Sequence, residues 1–327
     1  MVQSIFNPQQ PMPSTLMSTS AQGGSGSDVL ADFGRWGVWV GGRLIFGDKD
    51  RTEAQGGYDF NTGGLTVGVD YRFTESMVGG FALGYSDNEV DLDQNGGGLD
   101  STGYSATLYG NWYPTDSFYI DASLGWGNNS FDQVRQVRYQ LSQTEIAVDQ
   151  TLEADFDGDQ INATLGIGYD FVSNGWIFGP ELYVEYVDVD LDPFTERLTA
   201  TSDPNAVSGW AASIEGQSFE SLLPTIGFQV SKAFSTSWGV IVPQGNLGWS
   251  KELENSGNIV SGFYVGDLNR VRFELETDEL DSEFFRAGLG VSALFPGAKS
   301  AYLTVDGDFD RDLLSTYYVN AGFRWEF

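Results

Sequence analysis

The stretch Tyr317-Tyr-Val-Asn-Ala-Gly-Phe-Arg-Trp-Glu-Phe327 separates cleanly at every second residue. Tyr317, Val319, Ala321, Phe323, Trp325 and Phe327 share one side, and Tyr318, Asn320, Gly322, Arg324 and Glu326 share the other. A period of two places successive side chains on opposite sides of an extended chain, so this is a strand with one apolar and one polar face. It ends on an aromatic ring, Phe327.

The same pattern recurs upstream. Alternating cores occupy 36–46, 64–73, 77–86, 102–113, 117–127, 160–171, 176–187, 222–234, 238–249, 283–295, 300–309 and 316–327. In 64–73, Leu65, Val67, Val69, Tyr71 and Phe73 oppose Thr66, Gly68, Asp70 and Arg72. Segment 36–46 is apolar on both sides, and its register is open. The connections alternate in length. Short turns lie at 74–76, 114–116, 173–175, 235–237 and 296–299; long connections are expected at 47–63, 87–101, 128–159, 188–221 and 250–282, with a shorter one at 310–315. An up-and-down barrel collects its tight turns at one end and its long loops at the other, and outer-membrane barrels show this asymmetry. The expected fold is all-β, a twelve-stranded antiparallel transmembrane β-barrel. An even strand number sets both barrel termini at the short-turn end.

A soluble twelve-strand protein is the competing fold. Two features weigh against it. The polar face carries charges from strand to strand: Arg43, Asp70, Arg72, Asp121, Asp170, Glu181, Glu185, Arg286, Arg324 and Glu326. In a membrane barrel these residues line the lumen as ion pairs, and twelve strands enclose a space wider than the smallest barrels can fill with side chains. Aromatics also flank the short turns, among them Tyr71, Phe73, Trp112, Phe171, Trp176, Trp238, Phe295 and Trp325, as an interfacial girdle would.

Composition narrows the function. The 327 residues contain no cysteine and no histidine, which excludes disulfides, thiolate or histidine metal sites and Ser-His-Asp chemistry. With 46 acidic and 16 basic residues the net charge is −30, so nucleic acid is not an expected partner. Gly, at 42 residues, and a 14% aromatic content suit many strands with glycine turns. No 18-residue apolar run marks a membrane helix, but a spanning strand needs only about 9–11 residues.

Residues 1–34 differ from the rest. Pro8, Pro11 and Pro13 precede a Ser/Thr run and Gly23-Gly-Ser-Gly-Ser27. They read as a linker that would thread or plug the lumen, or as a disordered tail, with the barrel at 35–327. Met1–Phe6 has neither basic n-region nor apolar h-region, so no signal peptide is expected there and an exported chain would be a trimmed form.

Acids recur at alternate positions at 87–93, 155–159, 188–192 and 306–312. Clustered carboxylates suit Ca²⁺ or Mg²⁺, and Asp155, Asp157 and Asp159 are the nominal ligands of a loosely bound ion. Against an EF-hand, Gly158 stands fourth rather than sixth and no helices flank it. A solvated acidic rim is the simpler reading, and no cofactor is expected. Arg135 and Arg138 suit loop salt bridges. Glu181 and Glu185 share a strand face, with an expected separation of about 7 Å; a lumen ion-pair role is preferred to carboxylate catalysis, and no enzyme activity is expected.

Trp36-Gly-Val-Trp-Val-Gly-Gly42, Gly68-Val-Asp-Tyr71, Gly79-Gly-Phe-Ala-Leu-Gly-Tyr85, Leu108-Tyr-Gly-Asn-Trp112, Phe118-Tyr-Ile-Asp121, Phe131-Asp-Gln-Val-Arg135 and Asn320-Ala-Gly-Phe-Arg-Trp-Glu-Phe327, in this order, resemble the translocator β-domain of bacterial autotransporters, the type V secretion systems. The resemblance covers roughly 30–327. It implies an outer-membrane barrel with a helix or linker in its lumen, an N-terminal passenger in cis moved to the cell surface, and a terminal strand, here Trp325 and Phe327, read as an assembly signal by the barrel-assembly machinery. Long loops would be extracellular, both barrel termini periplasmic, and outer-membrane lipid and lipopolysaccharide the surroundings. Residues 1–28 are too short to be such a passenger, and 1–34 lacks the Asn-Asn step at which some family members cleave themselves. A barrel without a passenger, acting as a cation-preferring pore or as a structural part of a surface assembly, is the alternative.

Overall fold

The computed structural model describes residues 34–327 except Ala54, 143–144, 203–205, 255–258 and Leu280. All but the last residue of the expected linker at 1–34 therefore lies outside the described residues. Twelve strands form the barrel: β1 Trp36–Lys49, β2 Tyr58–Thr74, β3 Met77–Leu92, β4 Gly97–Trp112, β5 Phe118–Ser142, β6 Glu145–Tyr169 continued by Phe171–Ser173, β7 Trp176–Leu191, β8 Gln217–Lys232 continued by Phe234–Thr236, β9 Gly239–Lys251, β10 Glu283–Phe295, β11 Lys299–Phe309 and β12 Leu314–Glu326. Each pairs antiparallel with its neighbours in sequence, and β12 closes on β1 from Gly37↔Glu326 to Lys49↔Leu314. Closure leaves no barrel edge, which satisfies the backbone polar groups within lipid.

Pleating sorts the side chains. Towards the short-turn end, outward positions are apolar and exposed: Val38 and Val40 on β1, Leu65, Val67 and Val69 on β2, Leu83 on β3, Leu124 and Trp126 on β5, Leu165 on β6. Rings pair at that rim, Trp36 with Tyr71 at 4.9 Å, Trp238 with Phe295 at 5.4 Å, and Trp325 with Phe327 at 5.4 Å. Inward positions there are mostly polar or small, with Trp39, Tyr109 and Tyr119 as large buried exceptions.

Two glycines make room for inward side chains. A Cβ on Gly68 would come within 2.5 Å of Trp39 Nε1, so this glycine seats the indole. A Cβ on Gly37 would lie 2.6 Å from Asp70 Oδ1 and would also meet the Arg324 guanidinium. Arg324 of β12 can therefore reach Asp70 of β2 across β1.

The strands run farther than their expected cores, because the polarity of the pattern inverts partway up. On β2 the inward residues change from Asp70 and Thr66 to Phe60 and Tyr58, while the outward ones change from Leu65 to Asn61 and Asp59. β7 passes inward from Glu181 and Glu185 to Val187 and Val189, and outward from Leu182 to Asp188 and Asp190. Above this level the barrel has the polarity of a soluble protein, with an apolar interior and an acidic exterior. The inversion fits a barrel whose short-turn part lies in lipid and whose long-loop part stands in water. It also explains a correction: 47–63, 87–101 and 128–159 are largely strand rather than loop, and β5 and β6 stay paired from Phe118↔Tyr169 to Ser142↔Glu145. The connections at 188–221 and 250–282 carry a second sheet of four short strands, ordered Phe273–Glu276, Ile259–Tyr264, Ala212–Ile214 and Phe194–Thr195.

Candidate functional site: the barrel lumen

All ten charged residues singled out in the sequence for the lumen occupy inward positions. They fall into distinct groups. At the short-turn end, Arg324 grips Asp70 through Nη1–Oδ2 at 2.5 Å and Nη2–Oδ1 at 2.6 Å, and its Nε donates to Glu326 at 2.9 Å. Arg72 pairs with Glu326 at 3.2 Å. Tyr109 donates to Asp70 at 3.0 Å, and Trp39 Nε1 donates to the Tyr109 hydroxyl at 2.5 Å. Strands β12, β2, β1 and β4 thus meet in one buried network over the closing seam. A planar guanidinium suits such bidentate binding of carboxylate.

Higher up, Arg286 Nε lies 2.8 Å from Asp308, and its Nη1 lies 3.8 Å from Glu185. The Tyr318 ring lies under two guanidinium groups, Arg43 at 4.9 Å and Arg286 at 5.2 Å, and its hydroxyl donates to Asp308 at 3.0 Å. Asp121 accepts from Asn111, and Asp170 from Gln229 at 2.9 Å. Between these groups lies a cavity of about 260 Å³ lined by Asn111, Asp121, Thr164, Gln244, Asn246 and Asp306 among others. Its wall offers donors and acceptors and charges of both signs, Arg43 and Arg286 beside Asp121, Glu181, Glu185 and Asp306.

Glu181 and Glu185 stand four residues apart on β7, ~13 Å at ~3.3 Å per residue. The separation near 7 Å expected from the sequence belongs to residues two apart. Only Glu185 joins the Arg286 group.

Asp155, Asp157 and Asp159 face outward along β6, each with its own contact: Arg197 at 2.9 Å, Ser130 at 2.7 Å and Asn128 at 3.3 Å. Among the described residues, no group of three or more His, Cys, Asp or Glu is arranged to hold a metal ion. What the structure adds is a cross-strand row. Glu89, Asp100, Asp132 and Asp155 stand directly opposite one another on β3, β4, β5 and β6. Like charges in register repel, so this row carries a local cost that salt relieves.

The long-loop end holds contacts that sequence reading missed. Lys49, inward on β1, has a side chain only 1% exposed and pairs with Asp278 at 2.6 Å. Thr52 donates to both oxygens of Asp278, at 2.9 and 2.8 Å. Arg135 of β5 pairs with buried Glu196, which also accepts from the Ala212 N–H at 2.8 Å. Beneath them, Ile45, Tyr58, Phe60, Val90, Leu314 and Tyr318 form a buried cluster inside the barrel. The sequence reading places Lys49 in the connection 47–63 and gives it no face; its partner lies 229 residues away.

The Lys49 ammonium, helped by the Thr52 hydroxyl, holds the Asp278 carboxyl below the usual carboxylate range despite an opposing desolvation effect. A depressed carboxyl contributes stability that is present above its unfolded value, near ~3.9, and is lost as pH falls through its folded value. Hydrogen exchange of Phe273–Glu276, corrected for intrinsic rate, should therefore be unchanged from pH 7 to 5 and accelerate only below that range. Loss of protection between pH 7 and 5 would contradict the assignment.

Comparison with known proteins agrees with this geometry. The family model described as the autotransporter beta-domain matches residues 38–306. The chain belongs to the autotransporter β-domain family. Among its relatives, the adhesin BmaC autotransporter of Brucella suis is 22% identical over 282 residues, covering 82% of this chain and 7% of the relative. The chain thus spans a small fraction of that relative's length. In fold it is similar to the translocator domain of the autotransporter NalP of Neisseria meningitidis, with a TM-score of 0.67, 14% identity and 92% and 91% of the two chains covered. The β-domain of the Bordetella autotransporter BrkA gives a TM-score of 0.63, 17% identity and coverage of 90% and 100%. The translocator barrel described here is accordingly an outer-membrane transport barrel, and its strands provide the crossing.

Proposed function

We propose that this translocator barrel anchors an N-terminal passenger and helps to export it through the lumen to the cell surface. The observation that carries the reading is the polar cavity together with the point where the chain enters the barrel. Trp36 N–H donates to the Phe327 carbonyl at 3.2 Å, so the chain before β1 departs from the short-turn end, at the foot of the lumen. Residues 1–34 would span ~50 Å as a helix, enough to pass a lumen ~30–35 Å long. Their central part, from Pro13 to Ser27, is rich in Ser, Thr and Gly and carries no charge, and matches a wall that offers hydrogen bonds of both kinds. In this reading the short turns and both barrel termini are periplasmic, and the acidic long-loop end stands outside the cell. The partners are lipid, lipopolysaccharide, the barrel-assembly machinery and the passenger in cis. No cofactor takes part and no bond is made or broken by the barrel; loosely held Ca²⁺ or Mg²⁺ would only screen the acidic rows.

The test is surface display. A small folded reporter joined ahead of residue 1 should be removed by external protease on intact cells. Asn246→Trp, which fills the cavity from β9, should reduce display at least tenfold while the barrel keeps its heat-modifiable gel mobility. Undiminished display from a correctly folded Asn246→Trp barrel would overturn the lumen route. The alternative of a passenger-less pore has weaker support, because the family model that matches the chain is the autotransporter beta-domain.

A further inference from the structure

The sheet built from 188–221 and 250–282 is held at two sites on the barrel wall. On one side it meets the long β5–β6 hairpin. Arg135 binds Glu196 and also donates to the Trp210 carbonyl at 2.9 Å; Phe194 stacks on Phe156 at 4.2 Å, and Phe156 on Phe131 at 5.0 Å. Tyr139, Trp210, Tyr264 and Phe273 continue this contact as a chain of rings at 5.3–6.1 Å into the sheet. On the other side the attachment is short: Asp278 to Lys49 and Thr52. In a ring of twelve, β1 stands four to five strands from β5 and β6, on a nearly opposite wall. Lys49 points into the mouth, so the segment bearing Asp278 comes into the opening. One attachment is a broad aromatic seam, whereas the other is one ion pair with one hydroxyl, followed by Asp281, which accepts from the Asp312 N–H at 2.6 Å where the segment returns to the barrel.

We infer that residues 259–278 form a strap across the long-loop mouth of the lumen, hinged on the aromatic seam at β5–β6 and latched to β1 by Lys49 and Asp278. The latch is the point of release. The seam joins barrel and sheet through Phe156–Phe194, Tyr139–Trp210 and the Arg135–Glu196 pair together, more contacts than the segment bearing Asp278 makes on the other side. Release would let the strap swing towards β5–β6 without unfolding the barrel. Outward passage of a polypeptide requires such an opening, because the mouth is otherwise packed. The strap rests on the export reading for its purpose, but its geometry stands without it.

The chain contains no cysteine, so a single introduced thiol reports on one place. Ser101, inward on β4 and buried, lies directly opposite Asn88, beneath the apolar cluster. In full-length protein carrying Ser101→Cys, a membrane-impermeant maleimide added from the long-loop side should react slowly. Asp278→Ala in the same protein should raise the labelling rate at least tenfold. The exchanged pair Lys49→Asp with Asp278→Lys should return the rate to within about twofold of the parent, which a general loosening of the loops would not do. Equal rates in all three proteins, or an exchanged pair that labels as fast as Asp278→Ala, would overturn the latch. If display fails through an open lumen while the labelling pattern holds, the export reading falls and the strap stands.

Discussion

Replacing Arg324 by methionine is expected to destabilise the barrel by about 3–5 kcal/mol, the usual cost of removing one partner from a buried ion pair. The substitution keeps the length of the side chain and removes its charge. Asp70, itself only 2% exposed, would lose both guanidinium contacts and keep the Tyr109 hydroxyl; Glu326 would lose its 2.9 Å contact and keep Arg72. The loss falls on the closing seam, because Arg324 joins β12 to β2 across Gly37. Urea unfolding of the barrel in lipid vesicles, followed by tryptophan fluorescence, measures the shift. Arg197→Ala supplies the contrast: its pair with Asp155 is more than half exposed on both sides, and such surface pairs contribute about 0–1 kcal/mol. A shift for Arg324→Met as small as that of Arg197→Ala would refute the seam network.

Deleting Phe327 should lower the yield of inserted barrel several-fold and leave the stability of the molecules that do insert nearly unchanged. The ring is 57% exposed and faces outward, touching Trp325, so little of its area is buried by the finished fold. Its backbone matters at the seam, where its N–H donates to Trp36 O at 2.9 Å and its carbonyl accepts from Trp36 N–H. Two hydrogen bonds at a solvent-facing end contribute about 1–3 kcal/mol together at most. Phe327→Ala retains those bonds and removes the ring, so equal insertion defects in the deletion and in Phe327→Ala assign the effect to the aromatic. Normal insertion by both variants would show that the terminal ring has no part in assembly.

Much of the lumen was legible because the side-chain period is exact. Once 64–73 and 316–327 are read as strands, Asp70, Arg72, Arg324 and Glu326 must share a face with the other polar positions, whatever the register between strands. Their partners were not legible. Asp70 and Arg324 are separated by 254 residues, and only the ring closure of β12 on β1 brings them together. The strand ends were misread for a different reason. The alternation in 89–92, Glu-Val-Asp-Leu, is as regular as that in 81–85, but it has the opposite polarity. A pattern matched to apolar-outward strands therefore stops at the boundary and takes the remainder for loop.

Sequence alone determined twelve strands, two-faced in all but the first, a chain without thiol or imidazole chemistry, and one end built of tight turns. These follow from local properties: backbone pleat, residue type and turn length. Tertiary structure alone decided that the polarity of the wall inverts, that Lys49 meets Asp278, and that two long connections fold into one sheet. Inside and outside are properties of the closed ring, not of any strand in it. A charged residue at an inward position finds its partner only when distant strands have been set side by side.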